Sequence, residues 1–190
     1  MVSKYVQIVI CAAGPAKDAA TLIALAKKEL WDIQVVATEN AIAMLPQADH
    51  QALRDATGQI SLRGTYATEG EQRRRADAII VAPATVNTVS HMALVLCSNY
   101  VTSMLNEAIG KSIPIIVLPS LKKDISDRPA FRAHIESLRE EGVQILLGEE
   151  YGGINPTNQS SKDGPLPPFP WYLAIDAARK AMGIQGTYRI

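Results

Sequence analysis

The sequence predicts an α/β fold of three layers, in which helices cover both faces of a mostly parallel sheet. Short apolar runs alternate with longer stretches whose apolar residues recur at helical spacing, as expected of repeated β–α–β units. The run Ala78–Ala82 is apolar at every position, which is typical of a strand buried on both faces. Because no internal repeat or low-complexity segment interrupts the pattern, we expect residues 1–190 to form a single domain.

Five short apolar runs are predicted to be the strands of this sheet. Most are rich in valine and isoleucine, the residues that pack well on a pleated surface. The predicted strands are Val6–Cys11, Ile33–Ala37, Ala78–Ala82, Ile115–Leu118 and Val143–Leu146.

Helices are predicted between these strands and after the last one. Thr38 is placed to cap a short helix that ends near Pro46, and Pro129 is suited to the first turn of another helix. The predicted helices span 18–30, 39–46, 47–56, 88–97, 101–108, 129–141 and 171–182.

Residues 148–170 break the alternation. This segment contains several glycines and prolines and shows no periodicity. Irregular loops of this length are uncommon in compact domains and often act as lids or binding loops. Two interpretations stay open, an active-site lid and a surface excursion without a role in the site.

The composition excludes several classes of function. Nineteen basic residues balance nineteen acidic ones, so no broad basic surface for nucleic acid or anionic membrane is expected. No apolar run reaches the roughly 18 residues of a membrane span. The two cysteines, Cys11 and Cys97, lie in apolar surroundings and show no metal-ligand spacing with the histidines, so we expect reduced thiols, no metal and a cytoplasmic location.

A polar cluster directly follows the most apolar strand. Thr85, Asn87 and Thr88 come after the run that ends at Pro83 and Ala84. Ligands of parallel α/β sheets bind at the carboxyl ends of the strands, which predicts a small-molecule site here. The alternative is a helix cap supplied by Asn87 or Thr88, but capping needs only one of the three polar residues.

Two further positions lie at the same predicted edge of the sheet. Gly14, in the turn between the first strand and the first helix, would let backbone N–H groups approach a phosphate. The GxGxxG pattern is absent, so this turn gives little support for a dinucleotide. Thr38 offers a hydroxyl after the second strand, and its alternative role is again that of a helix cap.

The polar cluster resembles a known motif. Residues 83–88, Pro-Ala-Thr-Val-Asn-Thr, look like the PASANT motif of flavoproteins related to phosphopantothenoylcysteine decarboxylase, a family that includes the lantibiotic peptidyl-cysteine decarboxylases. Residues 96–99, Leu-Cys-Ser-Asn, resemble the family's GxCDN stretch, and Ile115–Pro119 resembles the strand that leads to its substrate-binding segment. Residues 169–176, Phe-Pro-Trp-Tyr-Leu-Ala-Ile-Asp, are similar to a branch of stand-alone bacterial flavoproteins, which the chain resembles more closely than the two decarboxylase groups and whose reactions are mostly unassigned.

The resemblance implies an FMN-binding domain of Rossmann-like, flavodoxin-like fold that assembles as a trimer or dodecamer, with the flavin near a subunit interface. By position, Gly14 and Thr38 would lie near the FMN phosphate. The residues expected to line the flavin are Pro83, Ala84, Thr85, Asn87 and Thr88. Asn87 matches the motif asparagine that contributes to catalysis. In the decarboxylases FMN oxidises a cysteine thiol, and loss of carbon dioxide leaves an enethiol.

The sequence also departs from the decarboxylase pattern. Residues 61–75 contain no histidine where the family has its active-site histidine, and no cysteine follows Cys97. The substrate clamp PxMNxxMW aligns with residues 119–126, where only Pro119 is kept and Lys122 replaces the asparagine. Lys122 either attracts a substrate carboxylate or belongs to a solvated surface run.

The sequence therefore indicates three candidate functions. The first is an FMN-dependent, decarboxylase-like enzyme acting on a small carboxylate or thiol-bearing substrate, or on a peptide terminus. The second is a noncatalytic flavin-binding or regulatory subunit, which the missing histidine and clamp favour. The third is a flavin prenyltransferase-like enzyme, since those enzymes share the fold and bind FMN.

Overall fold

The computed structural model describes residues 3–45, 50–51, 53, 60–61, 74–148 and 168–184. Within these ranges six strands form one sheet in which every neighbouring pair is parallel. The strands are β1 (Tyr5–Ile10), β2 (Asp32–Ala37), β3 (Ile60–Ser61), β4 (Ala78–Ala84), β5 (Ile115–Pro119) and β6 (Gln144–Ile145). Their order across the sheet is β3–β2–β1–β4–β5–β6, so the order reverses between β1 and β4.

Seven labelled helices accompany the sheet in the described part of the chain. A short 3-10 helix, Gly14–Asp18, follows β1 and leads into the first of them. The helices are α1 (Ala20–Lys28), α2 (Glu39–Met44), α3 (Val86–Ala93), α4 (Tyr100–Gly110), α5 (Lys123–Ser126), α6 (Pro129–Glu140) and α7 (Trp171–Ala181).

The helices cover both faces of the sheet and bury two apolar cores. On one face, Ile8 of β1 and Ile80 of β4 belong to the core that also contains buried residues of α1 and α7. On the other face, Val9 and Val81 belong to the core formed with α3, α4 and α6. Successive residues of a strand point to opposite faces, which is why β1 and β4 supply both cores.

Strand β4 lies at the centre of this arrangement. All seven of its residues are buried, and it pairs with β1 on one side and β5 on the other. The register of β4 and β5 shifts between Val81 and Ala84, and the Ala82–Pro83 peptide is cis. The carboxyl end of β4 is therefore irregular, and it leads directly into α3.

The structure confirms the predicted fold class. Each of the five predicted strands is present, with ends that lie within two residues of the prediction. Strand β3 and helix α5 were not predicted. The predicted helix 47–56 falls mostly outside the described residues, and so does nearly all of the 148–170 loop.

The prediction of a helix over 88–97 is wrong at its carboxyl end, because α3 ends at Ala93. Leu96 N–H donates to the carbonyl of His91 (2.8 Å), and Val95 N–H donates to that of Met92 (3.1 Å). These two bonds form the Schellman arrangement that terminates helices. Val95 takes the left-handed conformation, with φ of 54°, at the position that usually carries glycine. Sequence alone gives no stop signal here.

A largely buried ion pair connects the last helix to the end of the first. Arg179 of α7 donates to the carboxylate of Glu29, which directly follows α1, and the two side chains are 14% and 11% exposed. Burying two charges costs desolvation, and removing one partner leaves the other buried without compensation. The pair thus makes the docking of α7 sensitive to either residue.

We expect Arg179→Ala to lower the free energy of unfolding by about 3 kcal/mol, because the Glu29 carboxylate loses its buried partner. Urea unfolding followed by circular dichroism measures the change. Lys111→Ala, which breaks the exposed pair with Glu107, is the control and should cost less than about 1 kcal/mol. Equal losses in the two variants would contradict the assigned role of the buried pair.

Candidate functional site

A pocket of about 200 Å³ lies at the carboxyl ends of β1, β2 and β4, at the point where the strand order reverses. In doubly wound sheets this reversal point is where ligands bind. Seven of its eight lining residues in the described part of the chain are threonine or asparagine. They are Ala12, Thr38, Asn40, Thr85, Asn87, Thr88, Asn99 and Thr102.

The first residues of three helices meet at this pocket. Thr38 Oγ1 accepts a hydrogen bond from Ala41 N–H at the start of α2 (3.2 Å). Thr85 Oγ1 accepts from Thr88 N–H at the start of α3 (3.2 Å), and Asn99 Oδ1 accepts from Thr102 N–H at the start of α4 (3.0 Å). Each of these three residues is therefore fixed by the helix that it caps, and the N-termini of three helices, which carry partial positive charge, lie at one cavity.

The cap of α3 corrects one of the alternatives drawn from the sequence. Thr85 is the capping residue, whereas Asn87 and Thr88 lie in the first turn of the helix. Likewise, Thr38 both caps α2 and lines the pocket. Capping and pocket lining are thus carried out by the same side chains and do not compete as interpretations.

A buried polar contact connects the pocket to strand β1. Thr88 Oγ1 lies 3.1 Å from Thr85 Oγ1 and donates to the sulfur of Cys11 at 3.4 Å. Burial raises the pKa of the Cys11 thiol, although hydrogen bonds from the Thr88 side chain and the Thr85 backbone partly oppose this effect. Cys11 is therefore a protonated thiol at neutral pH rather than a nucleophilic thiolate.

Asn87 lies on the exposed side of the pocket. It occupies the second position of α3, and its side chain makes no hydrogen bond with the described part of the chain. His91 follows one turn later on the same helix, with Nδ1 2.8 Å from Ser98 Oγ, but it is not among the described lining residues. Asn87 is thus the predicted catalytic residue that this geometry leaves available to a bound molecule.

Four other predicted site residues lie outside the described lining of the pocket. Pro83 and Ala84 are buried at the end of β4, where the Pro83 carbonyl accepts from Cys11 N–H at 3.2 Å. Gly14 is exposed at the start of the 3-10 helix, and Lys122 is exposed before α5. Their roles toward a cofactor or substrate stay predictions.

The structure adds four lining residues that the sequence did not single out as site residues. Ala12 follows β1, Asn40 lies in the first turn of α2, and Asn99 and Thr102 form a reciprocal capping box at the start of α4. An Asn-x-x-Thr spacing before the apolar stretch of α4 is the signal that could have found the last two. Asn40 carries no comparable signal, because its place depends on where α2 begins.

The lining favours a polar, uncharged mode of recognition. In the described part of the pocket no lysine, arginine, histidine, aspartate or glutamate contributes to the wall. Hydroxyl and amide groups can donate and accept hydrogen bonds, so they suit a phosphate, a polyol or a heterocycle edge. The cavity is smaller than the 300 to 1,000 Å³ typical of ligand sites, so a cofactor-sized molecule would extend beyond it.

Neither a metal-binding cluster nor a membrane-spanning helix is found in the described ranges. No group of three or more histidine, cysteine, aspartate or glutamate residues there is arranged to hold a metal ion. None of the described helices combines the length and the apolar character that a bilayer crossing needs.

Comparison with known proteins places the chain in a family. The model of the Flavoprotein family matches residues 3–166. The chain is 38% identical over 71 residues to the phosphopantothenoylcysteine decarboxylase subunit SIS2 of Saccharomyces cerevisiae, a match that covers 37% of this chain and 12% of that protein. It is 32% identical over 77 residues to the coenzyme A biosynthesis bifunctional protein CoaBC of Thermococcus kodakarensis, covering 40% of this chain and 19% of the relative.

Both matches therefore span less than a fifth of the curated relatives' length. Among solved structures, the FMN-dependent cysteine decarboxylase TvaF from thioviridamide biosynthesis superposes with a TM-score of 0.70. The superposition covers 96% of this chain and 99% of TvaF at 18% sequence identity. At that identity the likeness shows a shared fold.

We expect the buried thiol of Cys11 to resist alkylation in the folded protein, because burial raises its pKa and excludes the reagent. In a Cys97→Ser variant Cys11 is the one remaining thiol. A chromogenic thiol reagent at neutral pH should therefore label no thiol in the folded protein and one thiol per chain in urea. Labelling of the folded variant should begin only as the pH rises above the usual thiol pKa. Rapid labelling at neutral pH would contradict this burial.

Proposed function

Because this chain belongs to the Flavoprotein family, we propose that it binds FMN in the threonine- and asparagine-lined pocket and acts as a decarboxylase-like enzyme. The substrate class is a small carboxylate or thiol-bearing molecule, or a peptide terminus of that chemistry. One observation carries the proposal: the pocket lies at the strand-order reversal of a chain that matches the family over residues 3–166.

The chemistry of the pocket fits FMN. Hydroxyl donors and the N-termini of helices are suited to a phosphate, and amide groups are suited to the edge of a flavin ring. Thr38 has a hydroxyl hydrogen left after it accepts from Ala41 N–H, so it would donate to the phosphate. Thr85 and Asn87 would meet the flavin from α3, with Gly14, Pro83 and Ala84 assigned to the same cofactor by their position in the motif.

FMN supplies the redox step when it is bound, and the chain supplies binding and geometry. Asn87, which we assign as the catalytic residue, would hold the substrate by its side-chain amide next to the cofactor. Lys122 would attract a substrate carboxylate as a point charge. Residues 61–75 contain no histidine, so the proton-accepting group of this protein differs from that of the decarboxylases it resembles.

A noncatalytic flavin-binding subunit is the second candidate. The missing histidine and clamp favour it, and the yeast relative SIS2 is itself described as a subunit of a decarboxylase. Flavin prenyl transfer stays a prediction with no further support, since TvaF and both curated relatives named above are associated with other activities.

The surface next to the pocket supports a homo-oligomer, which we propose to be a trimer or dodecamer. Leu94, Val95 and Leu96 form an apolar patch and are 53%, 67% and 45% exposed. The patch is joined to the pocket by the short stretch leading to Asn99. A second copy covering the patch would also extend a cavity that is small for a cofactor.

Three remaining assignments belong to the same proposal. Residues 1–190 form one flavoprotein domain, and the protein acts in the cytoplasm. Residues 148–170, nearly all of which lie outside the described residues, keep both interpretations, an active-site lid and a surface excursion without a role in the site. The partners are the small-molecule or peptide-terminal substrate and further copies of the chain, with neither nucleic acid nor membrane involved.

The first test is whether the protein purified without added cofactor carries FMN and turns over a substrate. We expect a yellow protein whose released chromophore has the mass of FMN, and carbon dioxide release from phosphopantothenoylcysteine or from peptides ending in cysteine. Asn87→Ala should keep the chromophore and lose at least about 100-fold in turnover, as expected when a positioning amide is removed.

The outcomes separate the two candidates. A protein that binds FMN but releases no carbon dioxide, and that co-purifies with a defined partner whether or not Asn87 is changed, would be the noncatalytic subunit. A colourless protein that also fails to take up added FMN would refute both. Lys111→Ala, on a distant exposed surface, is the control for general effects on folding.

The proposed oligomer can be tested at the apolar patch. Val95→Gly removes the exposed side chain and relieves the left-handed backbone of this residue, so the subunit fold should be retained. Combined with Leu96→Lys, it should convert the oligomer to monomers in analytical ultracentrifugation. An unchanged sedimentation coefficient would show that the patch is not the interface.

A further inference from the structure

We propose that Cys11 is a positioning residue of the pocket, which holds Thr88 so that Thr85 faces the bound molecule as a hydrogen-bond acceptor. The inference rests on the proposed FMN site and refines it. It assigns a role to a buried thiol that the proposed reaction does not use.

Two successive contacts connect the end of β1 to the wall of the pocket. The Cys11 sulfur lies at the end of β1 and accepts from Thr88 Oγ1 at 3.4 Å. Thr88 Oγ1 in turn lies 3.1 Å from Thr85 Oγ1. Cys11 and Thr88 are 1% and 4% exposed, so water does not supply alternative partners for these groups.

The direction of this hydrogen-bond chain follows from Thr88 being the donor to the Cys11 sulfur. Each threonine hydroxyl has one hydrogen and two lone pairs. Thr88 gives its hydrogen to Cys11, so the contact between the two hydroxyls must use the hydrogen of Thr85. Thr85 also accepts from Thr88 N–H, which leaves it one lone pair and no hydrogen for a ligand.

Two hydroxyls of the pocket wall, those of Thr38 and Thr85, therefore differ in polarity. Thr38 accepts from Ala41 N–H and retains a hydrogen that it can donate. Thr85 can only accept from a bound molecule. The α2 side thus suits an anionic oxygen, whereas the α3 side suits an N–H or O–H group of the ligand, such as those of a flavin or of its polyol chain.

Loss of the sulfur acceptor would reverse the direction of the hydrogen bonds between Thr85 and Thr88. Without Cys11, Thr88 would turn its hydroxyl hydrogen to Thr85, and the hydrogen of Thr85 would then face the ligand. A donor opposite a ligand donor leaves two polar groups without partners, which is costly in a buried site. The role of Cys11 is therefore distinct from filling space in the core.

Two substitutions at Cys11 separate these roles. Serine keeps an acceptor but loses volume and apolar character, whereas valine keeps the apolar volume but has no acceptor. If Cys11 positions Thr88, Cys11→Val should raise the Kd for FMN about fivefold to tenfold, and Cys11→Ser should stay within about twofold of the wild type. Packing alone predicts the opposite order.

Thr88, which lies between Cys11 and Thr85 in the hydrogen-bond chain, can be tested in the same way. Thr88→Val should weaken FMN binding as Cys11→Val does, and Thr88→Ser should restore it. The control is Cys97→Ser, because Cys97 is exposed and takes no part in the hydrogen-bond chain. This variant should bind FMN with an unchanged Kd. Quenching of flavin fluorescence on titration with the apoprotein gives each Kd, and thermal unfolding verifies that each variant is folded.

A second measurement needs no cofactor. In urea unfolding of the apoprotein, Cys11→Val and Thr88→Val should be non-additive, so that the double variant shifts the midpoint by less than the sum of the single shifts. Additive shifts would overturn the contact itself. Coupled shifts together with unchanged Kd values in both valine variants would overturn its role in binding.

The binding measurements distinguish a failure of the positioning role from a failure of the proposed function. If the wild type binds no FMN, the proposed function fails and the assignment of the Thr85 acceptor to this cofactor fails with it. If the wild type binds FMN and valine is tolerated at both positions while serine is not, only the positioning role is refuted.

Discussion

The complete burial of β4 is the constraint on which the rest of the structure depends. With α-helical layers on both faces and a paired strand on either side, its residues must be apolar, and all seven of them are buried. The chain can expose polar groups again only where the strand ends. Thr85 is the first residue beyond that point, and it immediately caps the helix that returns the chain across the sheet.

That constraint explains why structural and functional roles coincide in the pocket. A helix that begins at the edge of a buried sheet leaves N–H groups that need acceptors, and a threonine or asparagine supplies one. Three helices begin at the same edge, so three capping residues converge there. Because these caps also line the cavity, the hydrogen-bonding capacity that their other contacts leave unused is available to a bound molecule.

The sequence was sufficient for the features that follow from local patterns. Runs such as Ile115–Leu118 identify buried strands, and the alternation of runs identifies the layers. Strand β3 has only two residues and helix α5 only four, too short for any periodicity. The end of α3 was missed because Val95 occupies a left-handed position that normally requires glycine, so the usual sign of a helix stop is absent.

The pocket also shows how an anionic cofactor could be held without a basic side chain in the described wall. Helix N-termini carry partial positive charge that is fixed in direction and costs no side-chain entropy. Recognition by fixed dipoles and hydroxyls depends on the positions of hydrogen atoms more than on net charge. For that reason a buried thiol such as Cys11, which carries no charge, can influence what the pocket accepts.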